Sequence, residues 1–288
     1  MSPRRIDLAT RLISGICGLV SATIVVAVLL FLVIEATPAL RSIGPLRFFT
    51  DEGWHPTAAD GRFNLGPMLL GTLATTLGAL LLAAPLGVLS AIFCREVAPP
   101  VLSRWYRRMI SLMAGIPSVV YGLWGLATLA PIVRVIEPPG TSLLTGIVVL
   151  TIMILPTIAL LAETAIGQVP TELLEAARAL GLSRWGTLRH VTLPAARGGL
   201  IIAILLGVAR AVGETMAVLM VCGNVVQMPG SLFDSVRTLT ANIALELGYA
   251  STAHRSALFV TGLLLMVLVA VMVLLSEHLT RRETIRAP

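Results

Sequence analysis

The chain has 288 residues, of which 56% are hydrophobic and 12% charged, with a formal net charge of +6 and a mean hydropathy of +0.92. Soluble domains carry about 25% charged residues, so this composition excludes an ordinary soluble enzyme or binding module and reads as an integral membrane protein. A pI near 10.2 does not point to nucleic acid, because aromatics are 5% and the basic residues are dispersed; it reads as membrane topology.

In chain order, MSPRR precedes an apolar run from Leu12 to Ile34. That run exceeds the roughly 7–15 residues of a secretory h-region and reads as an uncleaved first span. Five more runs, at 68–93, 110–131, 142–163, 198–222 and 256–276, can also cross a hydrocarbon core of about 30 Å. Pro85, Gly87, Pro117 and Pro156 interrupt them, which membrane helices tolerate when neighbours satisfy the freed backbone groups. The expectation is an all-α integral membrane protein with six transmembrane helices. It divides into an N-terminal helix with its outer connection (1–66), a transmembrane domain (67–280) and a tail (281–288).

Sidedness follows from arginine, since the chain has no lysine. Arg4, Arg5 and Arg11 precede the first span. Arg95, Arg104, Arg107 and Arg108 lie in the second connection, and Arg178, Arg184, Arg189 and Arg197 in the fourth. Arg281, Arg282 and Arg286 follow the last span. The alternate connections hold fewer, so the positive-inside rule puts both termini and the tail in the cytoplasm. Cys17, Cys94 and Cys222 lie in or beside separate apolar runs without CxxC spacing, and the four histidines are scattered. Neither a metal site nor a disulfide framework is expected.

The fourth connection, 167–197, is longer than a bilayer protein needs. Pro170 and Thr171 supply helix-start signals with Thr171 as N-cap, and Glu172 and Glu175 suit the first turn. Leu173, Leu174, Ala177 and Leu180 fall at helical spacing, and Gly181 is a natural stop. A second short helix from Ser183 to Thr192 is expected to end at Pro194. From the residues alone, this amphipathic hairpin is either a partner-docking element or a loop lying on lipid headgroups.

Glu175, Ala176 and Ala177, followed after three residues by Gly181 and after nine more by Val191, Leu193 and Pro194, resemble the EAA loop of ABC-transporter permeases. The resemblance implies that this loop docks into a separate ATPase subunit. GIPSVVYGLWGL (115–126), MILPTIA (153–159), RAVGETMAVLMVCGN (210–224) and RTLTANIALELGYA (237–250) further resemble the PstC-type permease of phosphate ABC importers. The sister PstA type resembles it less well, because Met216, Ala217 and Val218 stand where that type has Ala-Pro-Leu. The family implies a type I ABC importer permease fold in the bacterial inner membrane and inorganic phosphate as solute. Its partners would be a PstA-type sister subunit, two ATP-binding subunits, an external phosphate-binding protein and membrane lipid.

Arg210 and Glu214 stand out in the fifth run. If that helix starts near Gly198, Arg210 lies about 18 Å along it, close to the midplane, with Glu214 one turn further on the same face. Charges there cost at least about 2.5–3.5 kcal/mol each and mark functional positions by default. Arg before Glu is the weaker order for an intrahelical pair. Guanidinium offers a bidentate clamp to an oxyanion, and a carboxylate accepts from the P–OH that phosphate carries and sulfate lacks near neutral pH. Arg210, Glu214 and Thr215, with Ser118, are the candidate substrate path. A structural ion pair is the competing reading, and Glu163 or a partner subunit is an alternative counter-charge for Arg210. Asn242 and Glu246 read as an outer-surface helix whose apolar side is Leu239, Ile243 and Leu247.

Other classes fit less well. There is no H-E-x-x-H, no G-x-S-x-G and no lysine for a P-loop, so catalytic residues and cofactors are not expected. An ion-coupled secondary transporter would be larger and internally repeated.

Overall fold

In the computed structural model, residues 3–58 and 60–284 are described, with side chains for 11–58 and 60–274. Six helical stretches are long and apolar enough to span a membrane: Arg11–Ser42, Gly66–Val97, Ser118–Ile136, Leu143–Gly167, Arg184–Val212 and Thr252–Leu274. Several boundaries differ from the expected ones.

Helix α1 (Pro3–Ser42) runs past its expected end and past Pro38. Proline removes one N–H and crowds the carbonyl four residues back. A neighbour repairs the ladder, because the Ser256 hydroxyl donates to the Glu35 carbonyl (2.6 Å) and accepts from the Ala39 N–H (3.0 Å). The following turn α2 (Arg47–Thr50) and the antiparallel strands β1 (Trp54–His55) and β2 (Arg62–Phe63) form a small cap, with Trp54 opposite Phe63. Asp51 pins it, accepting from Arg47 Nε and Nη2 (each 3.0 Å) and from the Phe63 N–H (3.0 Å). The Arg47 guanidinium holds the Asp51 carboxyl below the usual carboxylate range.

Helix α3 (Gly66–Ile92) is extended by a π-helical turn at Phe93–Val97. The expected third span, 110–131, is divided at Ile116–Pro117. Helix α4 (Pro100–Gly115) stops because the residue before proline is driven to extended backbone, with Ile116 at φ −68° and ψ 130°. The span itself is α5 (Ser118–Trp124), a π turn at Gly125–Leu129 and α6 (Ala130–Ile136). Helix α7 (Leu143–Gly167) occupies the centre, and Ile147, Leu150, Met153, Ile154 and Ile158 are buried along it.

The 167–197 connection forms α8 (Thr171–Ala179) and α9 (Arg184–Thr187). Thr171 is not the N-cap; Pro170 takes that position without a side-chain bond. Nor does Pro194 end the second segment. A π-helical turn at Leu188–Thr192 leads without a break into α10 (Leu193–Val212). The wider turn absorbs the donor that Pro194 lacks and joins the hairpin to the membrane helix. The expected fifth span, 198–222, instead stops at Gly213, and a short helix α11 (Met216–Val221) follows. Helix α12 (Leu239–Glu246) precedes α13 (Thr252–Thr284), which continues beyond the expected boundary at 280; residues 285–288 lie outside the described residues.

Packing around α7 uses small residues, as membrane helices do when no hydrophobic drive separates protein from lipid. A Cβ on Gly87 of α3 or on Gly207 of α10 would strike Ile158, so two helices close on one isoleucine. Helix α1 instead packs on α13, where Phe31 meets Phe259 edge-on at 5.5 Å.

The α12 expectation is corrected. Asn242 (0% exposed) and Glu246 (7%) face inward, while Leu247 is exposed. The cause is a set of polar partners: Glu246 accepts from Trp54 Nε1 (2.7 Å) and Arg237 Nη1 (2.6 Å), and lies 2.8 Å from His254 Nε2. A buried carboxylate with this many donors is stable where an apolar side chain would strand Arg237. This cluster ties the β1–β2 cap to α12 and α13. Glu246→Gln leaves Arg237 without a counter-charge and should cost about 3–5 kcal/mol. The check is thermal unfolding of the purified protein in detergent at neutral pH; an unchanged midpoint would mean that the cluster does not hold the cap.

Candidate functional site

Helix α10 ends level with the middle of α7. Arg210, in its last turn, donates from Nη1 to Thr157 Oγ1 (3.3 Å), and Thr157 lies in the middle of α7. Gly213 terminates the helix, with its N–H bonded to the Ala209 carbonyl (3.2 Å). Glu214 therefore does not follow Arg210 around one helical face. Its Oε1 accepts from the N–H of Ala217 (3.0 Å) across the first turn of α11, and its carbonyl accepts from Thr240 Oγ1 (2.8 Å). The Thr215 hydroxyl turns back to the Gly213 carbonyl (3.3 Å).

This geometry corrects the expected pair. Arg210 and Glu214 form no ion pair with each other, and Glu163 pairs with Arg107 of α4 rather than with Arg210. Each charge is instead placed at a helix end that suits it. Arg210 sits at the carbonyl end of α10, and Glu214 sits at the amide end of α11. Irregular backbone at membrane depth persists where protein encloses it or a cavity adjoins it.

Ser118 starts α5 directly after Pro117 and is half-buried. It makes no hydrogen bond to Arg210, Glu214 or Thr215, but α5 packs on α11. A Cβ on Gly122 would meet Ala217 and Met220, so glycine permits that approach. The neighbouring Tyr121 is buried and donates to the Met113 carbonyl (2.8 Å), bracing the Pro117 break. Thr157 and Thr240 are the residues that sequence reasoning missed. Each is a hydroxyl inside a motif (MILPTIA, RTLTANIALE) whose apolar residues dominate its reading. Among the described residues no group of His, Cys, Asp and Glu could hold a metal ion, and the three cysteines are free thiols.

The second candidate surface is the 167–197 hairpin. Leu174 and Leu193 pack against a core that includes Ala91, Ala162, Ile166, Val169 and Ala196, and Ala177 is buried. Glu175 and Ala176 face outward beside Leu173 (46% exposed) and Leu180 (83%). Gly181 has φ +76°, the left-handed region that favours glycine. Its N–H bonds the Arg178 carbonyl (3.0 Å) and the Leu182 N–H bonds the Ala177 carbonyl (3.1 Å), which together form a Schellman motif. Ser183 Oγ then caps α9, accepting from the Gly186 N–H (3.1 Å). Pro194 is exposed in the first turn of α10, and Val191 is half-buried in the π turn.

Comparison with known proteins agrees with this architecture. The model of the family described as "Binding-protein-dependent transport system inner membrane component" matches residues 83–285. A Bacillus subtilis (strain 168) protein described as a probable ABC transporter permease, YqgH, is 38% identical over 281 residues, covering 96% of this chain and 91% of that one. The phosphate transport system permease protein PstC of Mesorhizobium japonicum is 34% identical over 266 residues, covering 85% of this chain and 80% of that one. The same fold occurs in a bacterial alginate ABC transporter, with a TM-score of 0.63 and 17% identity over 92% of this chain and 94% of that one. Six membrane-length helices in the type I ABC importer permease fold and a family model over most of the chain lead to one conclusion: this is a multi-pass inner-membrane permease subunit of an ABC importer, belonging to the family of binding-protein-dependent transport system inner membrane components.

Proposed function

We propose that the chain is the PstC-type half of an importer that passes inorganic phosphate, received from an external binding protein, through a path shared with a PstA-type sister subunit. The observation that carries this reading is Arg210 level with the middle of α7, donating one long hydrogen bond to Thr157 and, among the described residues, paired with no carboxylate. A guanidinium stays charged when desolvated and keeps donors for an arriving oxyanion. Glu214, one helix break away, accepts from a phosphate P–OH and weakens the hold on a fully deprotonated anion, which favours release. Thr215 and Ser118 line the same passage. Similarity to PstC proteins supports phosphate as the solute.

ATP is hydrolysed by two separate subunits that grip the hairpin. Glu175, Ala176, Ala177, Gly181, Leu193 and Pro194 form or support the coupling surface. The exposed Leu173 and Leu180 supply apolar contact area for that grip. Both termini and the hairpin lie in the cytoplasm, on the arginine-rich side.

Three outcomes test the reading. Arg210→Lys keeps the charge but loses the planar fork, so uptake per assembled complex should fall at least about tenfold, the effect of losing one charge-assisted hydrogen bond. Glu214→Gln retains an oxygen for the Ala217 N–H and so preserves the fold while shifting the pH dependence of phosphate flux. Normal flux per complex in both variants, with complex yield measured alongside, would remove the path assignment.

Glu175→Arg reverses an exposed charge, and Gly181→Pro cannot adopt φ +76°. Both should leave membrane insertion intact while ATP hydrolysis proceeds without uptake. Normal transport in both variants would refute the coupling role.

Thr57→Cys, in a chain otherwise free of cysteine, should react with an impermeant maleimide in intact spheroplasts, and Glu172→Cys only after lysis. The reverse pattern would invert the topology.

A further inference from the structure

Beneath the hairpin lies a cavity of about 450 Å³, within the roughly 300–1,000 Å³ of small-molecule sites. Leu174, Arg178 and Leu182 line it from the α8 side, Arg95 and Glu96 from the end of α3, and Arg184, Thr187 and Thr192 from α9 and the π turn. Leu174 packs on the protein body, and Arg178 stands one turn further along that same face. The cavity is therefore on the side of α8 turned away from the exposed Glu175 and Ala176.

Its electrostatics are unbalanced. Three guanidiniums face one carboxylate, and only Arg184 approaches Glu96, at 3.8 Å. The guanidiniums of Arg95 and Arg178 have no hydrogen bond or ion pair among the described residues. Arg95 lies against Gly167 at the end of α7, where any side chain would collide with its guanidinium. The Thr187 hydroxyl, on a residue 8% exposed, is buried in the lining without a partner. A buried hydroxyl without a partner costs free energy, and exposed guanidiniums gathered around one concave surface concentrate a positive potential there.

We infer that this cavity is a binding site for a phosphate-class oxyanion, clamped by Arg95, Arg178 and Arg184, with Thr187 as a donor and Glu96 accepting from the anion's P–OH. Planar guanidinium forks match such an anion bidentately, and its two negative charges balance the excess in the lining. An occupant would tie α8 to the ends of two spans and so set the position of the docking hairpin. Free phosphate and a phospholipid headgroup share the phosphoryl oxygens that the guanidiniums clamp; a diester headgroup brings one charge and no P–OH, and the glycerol hydroxyl of phosphatidylglycerol would donate to Glu96 in its place. The site stands apart from the Arg210 path and does not depend on which solute passes there.

The test uses the complete complex without its external binding protein, purified free of phospholipid and carrying Arg210→Gln, which removes the path's cation. Labelled inorganic phosphate should bind it, and Arg95→Gln combined with Arg178→Gln should weaken binding at least about tenfold. Glu96→Gln should tighten it, a change in the opposite direction that misfolding cannot imitate. If phosphate does not bind but native mass spectrometry of complex purified without delipidation finds phosphatidylglycerol retained by the parent and released by the double variant, the site stands with a headgroup as occupant. If neither phosphate nor phosphatidylglycerol responds to the double variant, the inference is overturned, whatever the flux of Arg210 variants.

Discussion

The π-helical turn at Leu188–Thr192 is the joint on which the rest of the architecture depends. An α-helix meeting Pro194 would lose a backbone bond and kink; the wider turn lets the chain pass it. The result is a continuous 29-residue rod from Arg184 to Val212, roughly 43 Å long. The hairpin that carries the EAA motif stands at one end, and Arg210 stands in the last turn at the other. In the proposed mechanism a tilt of the hairpin, gripped by an ATPase, reaches the solute path through one rigid element. Gly207 on α10 and Gly87 on α3 hold that rod against α7 through Ile158, so a rotation of α10 is felt by the central helix.

Arg210 and Glu214 are tolerated at the break for a second reason. The break at Gly213 creates two helix ends level with the middle of α7, and the end fields suit Arg210 and Glu214 separately. Thr157 and Thr240 complete the arrangement from α7 and α12. A tight ion pair would have neutralised both groups. In the proposed path, separation leaves both groups available to a solute, which binding and release require.

Much of this was legible in the sequence. The six spans follow from apolar length alone, and the Glu-Ala-Ala to Gly181 spacing marks a helix with Ala177 on its buried face that ends on a glycine at φ +76°. Backbone interruptions were less legible. Hydropathy does not distinguish Pro117, which divides a helix, from Pro194, which a π turn absorbs, or from Pro38, which a serine hydroxyl on another helix repairs. Gly213 is one glycine among several in its run, and only the Glu214 carboxylate bonding forward to the Ala217 N–H shows that the helix stops there. Glu246 misled for a different reason. Its inward orientation depends on Trp54, Arg237 and His254, and Trp54 lies 192 residues away along the chain. The Arg95–Arg178–Arg184 cavity likewise assembles from three separate elements, and no local pattern announces it.

The central claim is that this permease passes phosphate, driven by ATP hydrolysed on a partner subunit. It is tested most directly in vesicles reconstituted with the complete importer and its external binding protein, by measuring labelled phosphate uptake with and without ATP and in the presence of a large excess of sulfate. The account predicts uptake that requires ATP and is unaffected by sulfate. Uptake that persists without ATP, or sulfate carried as readily as phosphate, would contradict it.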